Sequence, residues 1–291
     1  MKKTLGIIGG SGIYEISEIE HGQWINIESP FGLPSDELFI GEIDGLKVVF
    51  LPRHARDHSI SPSSINYRAN IDALKRVGVT DIISIGACGS LRNDIEPGDF
   101  VLVDQFIDRT VSRKKTFFDD GAVAHVSIAK PTCSNLGEIV LKASQDVDVK
   151  FHNGGIYLAM EGPQFSTLAE SNIYRSWSCD VIGMTSMPEA KLAREAEICY
   201  VTVSMVTDFD SWHPEHGEVD VKKIIKVLGE NSLNGFNLIK NIIPLLKNSL
   251  DRHPCIQGCD RALENALVTR GDLSISTKEK LSAVAARILT K

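Results

Sequence analysis

Several things are missing from this sequence, and each absence closes off a class of function. No apolar run approaches the roughly 20 residues that a membrane-spanning helix needs. The opening MKKTLGIIGG reaches its glycines after only a few apolar residues, too few for the core of a secretion signal, so a cytoplasmic protein is expected. A basic excess is missing as well: 31 lysines and arginines stand against 38 aspartates and glutamates, a net charge of −7. Without phosphate-neutralising surface, nucleic acid is not an expected partner. The nearest approach to a basic run, Arg113-Lys114-Lys115, reads as a solvated loop. No His-Glu-x-x-His, calcium loop or clustered Cys/His set is visible, so no metal site is expected. The six cysteines are scattered without a C-x-x-C pair. Only Cys255 and Cys259 stand close enough for a local bridge or a shared helix face, and reduced thiols are expected in a cytosolic chain. The glycine cluster GIIGGSG at 6–12 has Glu15 where a dinucleotide fingerprint needs its last glycine, which argues against a Rossmann oxidoreductase.

What remains is 291 residues, 43% hydrophobic and 24% charged, the profile of an ordinary globular protein with ample material for a core. Short apolar runs alternate with amphipathic stretches. Strands are expected at Leu5–Ile8, Lys47–Pro52, Asp81–Ile85, Phe100–Asp104, Gly155–Met160, around Val181-Ile182, and from Ile198. Helices are expected over Pro62–Arg76 with Gly78 as stop, over Leu168–Trp177, over Pro188–Glu197, and from Val221 through Ile224, Ile225 and Leu228 to a point before Pro244. A final helix is expected to start with a capping box, Ser276 to Glu279. The stretch 105–125 reads as loop. No linker interrupts the first 245 or so residues, so the expectation is one α/β domain with a C-terminal helical extension.

The chemistry-bearing residues cluster at strand ends, where open α/β sheets bind their ligands. ICYVTVSMVTDFD (198–210) runs apolar and then stops at Asp208 and Asp210, which face the same way if extension persists; a solvated turn is the alternative. Ser11 with the amides of its tight turn suits an anion. Arg53-His54 follows a buried strand, where a guanidinium must be paired; it suits phosphate oxygens, or else a surface turn. Gly86-Ala87 offers backbone N–H groups. Cys88 lacks a base nearby in sequence and reads as a packed thiol. Met184 and Thr185 precede a helix, with Met184 a core filler on the plain reading. Glu161-Gly162-Pro163 leads to Phe165, able to stack on a flat ring, and Ser166.

GIIGGSG, SPFGLPSD (29–36), LPRHARDH (51–58), NYRANIDALK (66–75), GACGSLR (86–92), DQFIDRT (104–110), MEGPQFST (160–167), GMTSMPEA (183–190) and VTDFD (206–210) occur in order. As an ordered set they resemble the S-methyl-5′-thioadenosine phosphorylase family of the trimeric purine nucleoside phosphorylase superfamily, over roughly Leu5 to Leu246. The resemblance implies a single α/β domain with a central mixed β-sheet flanked by helices, a phosphorylase domain over 1–250 and a helical extension of it over 251–291. It implies phosphorolysis of methylthioadenosine to adenine and 5-methylthioribose 1-phosphate in methionine and purine salvage, with phosphate as co-substrate, no cofactor and a homotrimer. By motif position, Ser11, Arg53, His54, Gly86, Ala87 and Thr185 would hold phosphate, and Met184 would lie against the ribose. Asp208 and Asp210, with Phe209 between them, would face the adenine edge, Asp208 as proton donor to N7 and Asp210 orienting it or reading N6. Phe165 would stand by the ring. Ser166, Val221, Ile224 and Ile225 would set specificity at the 5′ group, and His125 would reach a neighbouring subunit's site. Gly183 and Gly86 depart from the animal enzymes of the family, which carry Asn and Thr there. A purine nucleoside phosphorylase acting on adenosine or 6-oxopurine nucleosides is the alternative.

Overall fold

The computed structural model of the chain describes residues 2–9, 19–215, 221–247 and 254–289. Among them, eleven strands pair into one mixed sheet. They are β1 (Thr4–Gly9), β2 (Glu20–Ile25), β3 (Leu38–Ile43), β4 (Leu46–Pro52), β5 (Asp81–Ser90), β6 (Phe100–Val103), β7 (Gln105–Asp108), β8 (Phe151–Asn153), β9 (Ile156–Ala159), β10 (Val181–Gly183) and β11 (Cys199–Asp208). The helices are α1 (Tyr67–Arg76), α2 (Ser134–Ser144), α3 (Leu168–Ser176), α4 (Ser186–Glu195), α5 (Val221–Lys247), α6 (Ile275–Lys280) and α7 (Ala286–Leu289).

β5 sits at the crossing of the sheet. It pairs parallel with β1 over its first half, parallel with β11 almost throughout, and antiparallel with β10 at its carboxyl end. Alternation along its strand sends Ile82 to one face and Ile83 and Ile85 to the other. Ala69, Ala73 and Leu74 of α1 and Ala190 and Ala193 of α4 cover the first face. Leu136 and Val140 of α2, with Leu238, Ile239 and Ile242 of α5, cover the second. Each such side chain contributes roughly 1.5–3 kcal/mol on burial, which is why apolar runs this short are sufficient for central strands.

Most expected elements are present, and the departures have local causes. β5 does not stop at Ile85, because the small residues of GACGS keep pairing with β11 as far as Gly89. The first helix begins at Tyr67 rather than Pro62, since the Asn66 side chain accepts the Ala69 amide and sets the start there. β7 lies within the stretch read as loop, paired to β9. α5 runs through Pro244 to Lys247: the lost backbone donor is outweighed by the burial of Ile242, Ile243 and Leu246 on either side. The last helical region caps at Ser274 instead of Ser276 and is split into α6 and α7. Leu263, Leu281, Val284 and Ala285 of the C-terminal segment enter the same buried cluster as α1, and Cys255 and Cys259 enter that of α5. No helix of the described residues is long and apolar enough to cross a membrane.

Candidate active site

The carboxyl ends of β4, β5 and β11, with the segment after β10, bring most of the expected site residues to one edge of the sheet. Arg53 follows β4 and is almost wholly buried, as is its partner Glu189 of α4, each 2% exposed. Nε donates to Glu189 Oε2 at 2.9 Å and Nη2 to Ser84 Oγ at 2.6 Å. Ser84 and Tyr200 hydroxyls add bonds to Glu189 Oε1 at 2.6 and 2.9 Å. Burial works against the guanidinium's charge, but Glu189 more than restores it and Arg53 stays protonated. Among the described residues Nη1 holds only a long contact of 3.4 Å to the Ile85 carbonyl, and it borders the backbone of Gly86. That nitrogen has capacity left for an anion. His54 is pushed down to about 4 by burial and by the neighbouring Arg53 charge. Its Nδ1 lies 2.8 Å from the Ile60 carbonyl. The neutral ring therefore donates there and leaves Nε2 as an acceptor. Ser11 lies outside the described residues.

At the end of β11, the Asp210 amide donates to Asp208 Oδ1 at 2.8 Å, and the Thr207 hydroxyl to Asp208 Oδ2 at 2.7 Å. Burial raises Asp208 above the ordinary carboxylate range; Thr207 and the Asp210 amide pull back, and the Asp210 charge adds to the rise. Burial raises Asp210 as well. Asp210 is 5% exposed, and among the described residues its Oδ2 has no well-formed hydrogen bond, although the Ser171 and Ser166 hydroxyls stand near enough to favour its charge. A buried carboxyl oxygen with no partner is an acceptor waiting for a donor. Gly89 makes this arrangement possible: a Cβ there would lie 2.9 Å from Asp208 Oδ1.

Arg113 was missed by the sequence reading, which placed it in a solvated loop. Instead the guanidinium is buried and joins three corners of the site. Nη1 donates to the carbonyls of Met184 and Met187, the latter at 2.7 Å, and Nη2 to that of Glu161 at 2.7 Å. Glu161 in turn accepts from Ser63 and Ser112. Burial opposes its charge, but these donors hold it down at about 2. Nothing in a mixed-charge stretch marks one arginine as the buried one, so no local signal was available. Gly183, the departure beside Met184, has a direct cause. A Cβ there would meet the Tyr157 hydroxyl at 2.1 Å, so this chain has placed a tyrosine where a larger residue would otherwise point. Thr185 opens α4 as its N-cap residue without a side-chain cap bond.

Other expected residues are placed differently. Phe209 lies in one buried cluster with Leu91, Tyr174, Ile182 and Trp212, at 6% exposure. Phe165 stays 42% exposed, free to meet a ring. Ser166 is buried, and its carbonyl accepts from Ser211 at 2.6 Å. Val221, Ile224 and Ile225 form the first turn of α5. Asn231 bonds the Val206 carbonyl at 3.0 Å and Gly235 faces Met205, so α5 runs antiparallel to β11. Its first turn therefore projects past the carboxyl end where the acids stand, with Val221 and Ile225 exposed. His125 is exposed on a segment bridged to the C-terminal region, its amide bonded to the Ala266 carbonyl at 2.9 Å.

One expectation is corrected outright. The cysteines are not scattered: Cys133, Cys199, Cys255 and Cys259, all buried, have their Sγ atoms within 4.8 Å of one another. Separations of 66 and 56 residues hid the cluster, which forms only when α2, β11 and the C-terminal segment meet. Cys255 and Cys259 form no bridge with each other.

Comparison with known proteins places this geometry. The family model described as the phosphorylase superfamily matches residues 4–244. An S-methyl-5′-thioadenosine phosphorylase of Cereibacter sphaeroides is 56% identical over 290 residues, covering 99% of each chain. One of Rhodospirillum rubrum is 55% identical over 288 residues, 98% of this chain and 97% of its own. Among solved structures, a methylthioadenosine phosphorylase from an antarctic soil metagenomic library superimposes with a TM-score of 0.91 at 44% identity, over 97% of this chain and 99% of the other. The methylthioadenosine phosphorylase of Schistosoma mansoni, solved with adenine, gives 0.86 at 33% identity, over 91% and 99%.

Proposed function

The chain belongs to the phosphorylase superfamily, within its methylthioadenosine phosphorylase family, and from that premise we infer that its reaction is the phosphorolysis of S-methyl-5′-thioadenosine to adenine and 5-methylthioribose 1-phosphate. The observation that carries this reading is the convergence, at the carboxyl ends of the paired strands β5 and β11, of two buried carboxyls, Asp208 and Asp210, and of Arg53, whose Nη1 borders Gly86.

The N9–C1′ bond breaks with its electron pair leaving on the base, and a phosphate oxygen bonds to C1′ of the ribosyl cation. Arg53 Nη1 and the amides at Gly86 and Ala87 hold the phosphate beneath C1′, with Ser11 and Thr185 completing the set. A dianion fixed there both stabilises the cation and captures it. Neutral His54 accepts a hydrogen bond from the P–OH group through Nε2. Asp208, raised by burial, gives its proton to N7 of the departing adenine, and Asp210 accepts from the N6 amino group. A 6-oxopurine would set its carbonyl oxygen against these acids instead, which favours the 6-amino base. Met184 lies along the ribose, its carbonyl fixed by Arg113, and Phe165 closes on the ring. The apolar first turn of α5 receives the methylthio group, with Ser166 tuning the fit.

The protein works in the cytoplasm, without cofactor, as a homotrimer in which His125 reaches a neighbouring subunit's site. Native mass measurement checks the assembly. The reaction is tested by incubating purified protein with methylthioadenosine, with and without phosphate, and measuring adenine release. Phosphate-dependent release is expected; equal release in both would make the protein a hydrolase.

A further inference from the structure

The four-thiol cluster lies far from the chemistry just described. Cys199 is the first residue of β11 and pairs with Asp81, the first of β5. Asp208 is nine residues further along an extended strand, about 30 Å away. The cluster therefore takes no part in phosphorolysis and requires its own explanation.

We propose that Cys133, Cys199, Cys255 and Cys259 bind one zinc ion in a tetrahedral, all-thiolate structural site. Three segments converge to build it. Cys133 is the N-cap residue of α2, with its amide bonded to the Tyr200 carbonyl at 2.8 Å, next to Cys199. Cys255 and Cys259 are brought together by a tight turn in which the Gly258 amide donates to the Cys255 carbonyl at 2.8 Å, with Gly258 itself left-handed at φ +70°. Gln257 of that turn accepts the Ser134 amide at 2.7 Å, tying the turn to the start of α2.

The spacing suits a metal better than a bridge. Cys133 and Cys255 sulfurs stand 3.7 Å apart. A disulfide requires about 2.05 Å. Four sulfurs at a zinc–sulfur distance of about 2.3 Å form a tetrahedron with edges of about 3.8 Å. The ligands offer soft sulfur only and a closed site, the donor set that selects zinc, or iron of the rubredoxin kind, over hard cations. Charge is also provided for. The four thiolates carry two negative charges in excess of the ion, at the amino end of an 11-residue helix whose dipole favours anions.

The clip has a mechanical consequence. Cys199 and Cys255 bracket β11 and α5, the segment that carries Asp208, Asp210 and the first turn of α5. Holding both ends of that long excursion to one ion removes loop entropy from the unfolded chain.

The experiment is elemental analysis of protein purified without added metal or reductant, paired with intact mass under denaturing conditions. The expected result is about one zinc per chain, a mass with all six cysteines reduced, and zinc released in step with four thiols on titration with an organomercurial. Cys259→Ser is expected to hold less than a tenth of the wild-type zinc, while Cys179→Ser, outside the cluster, keeps it. If Cys259→Ser does not fold, the organomercurial titration of the wild-type protein decides. Iron in place of zinc, a mass about 4 Da low from two disulfides, or reduced protein that takes up no zinc when offered it would each overturn the assignment.

Discussion

The two ends of β11 offer opposite solutions to the burial of chemically capable side chains. At the amino end, four buried thiols from three segments of the chain converge on one another. At the carboxyl end, two carboxyls are buried with their charge disfavoured, and one oxygen of Asp210 is left without a donor. A closed, mutually satisfied cluster stabilises a fold; an incomplete one is complete only with a ligand. The same strand therefore carries an element of stability and an element of function, and the difference lies in whether the partners come from the chain or from outside it.

Substitution at the carboxyl end tests the sharpest form of this contrast. Asp208→Asn is expected to lower kcat/KM for methylthioadenosine by about 10²–10⁴, with an unchanged melting temperature and a shift of preference towards 6-oxopurine nucleosides, since the amide donates to O6. Unchanged base preference in competition assays would separate Asp208 from the base. Arg113→Met breaks the contrast deliberately, because it removes a buried cation bonded to three carbonyls of the chain from the end where the acids stand. Leaving the Met184, Met187 and Glu161 carbonyls without their donor is expected to cost about 1–3 kcal/mol for each in urea unfolding, and the folded fraction should show a raised KM.

At the amino end, Glu195 closes α4 four residues before Cys199. Burial lifts it to about 7, against the Phe117 amide and Thr116 hydroxyl that it accepts from. The folded chain thus keeps a proton that the unfolded chain releases near 4.5. Its contribution is full below that pH and is lost as pH rises through 7, roughly 3 kcal/mol in all. Unfolding titrations from pH 4.5 to 8 are expected to show this slope, and Glu195→Gln should flatten it while turnover stays at the wild-type value. The smallest expected effect is Gly183→Ala, where the added methyl displaces Tyr157 at a cost of about 1–3 kcal/mol; calorimetry measures it, and an unchanged melting temperature would mean that Tyr157 moves freely.

Strand ends were legible because buried strands advertise themselves as β-branched runs, and their final polar residues stand out against that background. Arg53, Asp208 and Asp210 were found on that signal. The same contrast fails where burial is achieved by neighbours distant in sequence. Arg113 reads like any loop arginine until Met184, Met187 and Glu161 surround it, and Glu189 reads like any helical acid until Arg53 reaches it. Pro244 misled for a related reason, since helix propensity is local and the packing that overrides it is not.

By itself, the sequence determined the alternation of elements, the ordered motifs of the phosphorylase family and the polar residue types gathered at the strand ends. These depend on spacing along the chain, which the chain displays. The tertiary structure alone decided which charges are paired, that Phe209 turns into the core while Asp210 keeps an open oxygen, and that four distant cysteines share one point. Such facts depend on which groups exclude water from which others, and that is settled only when segments separated by tens of residues come into contact.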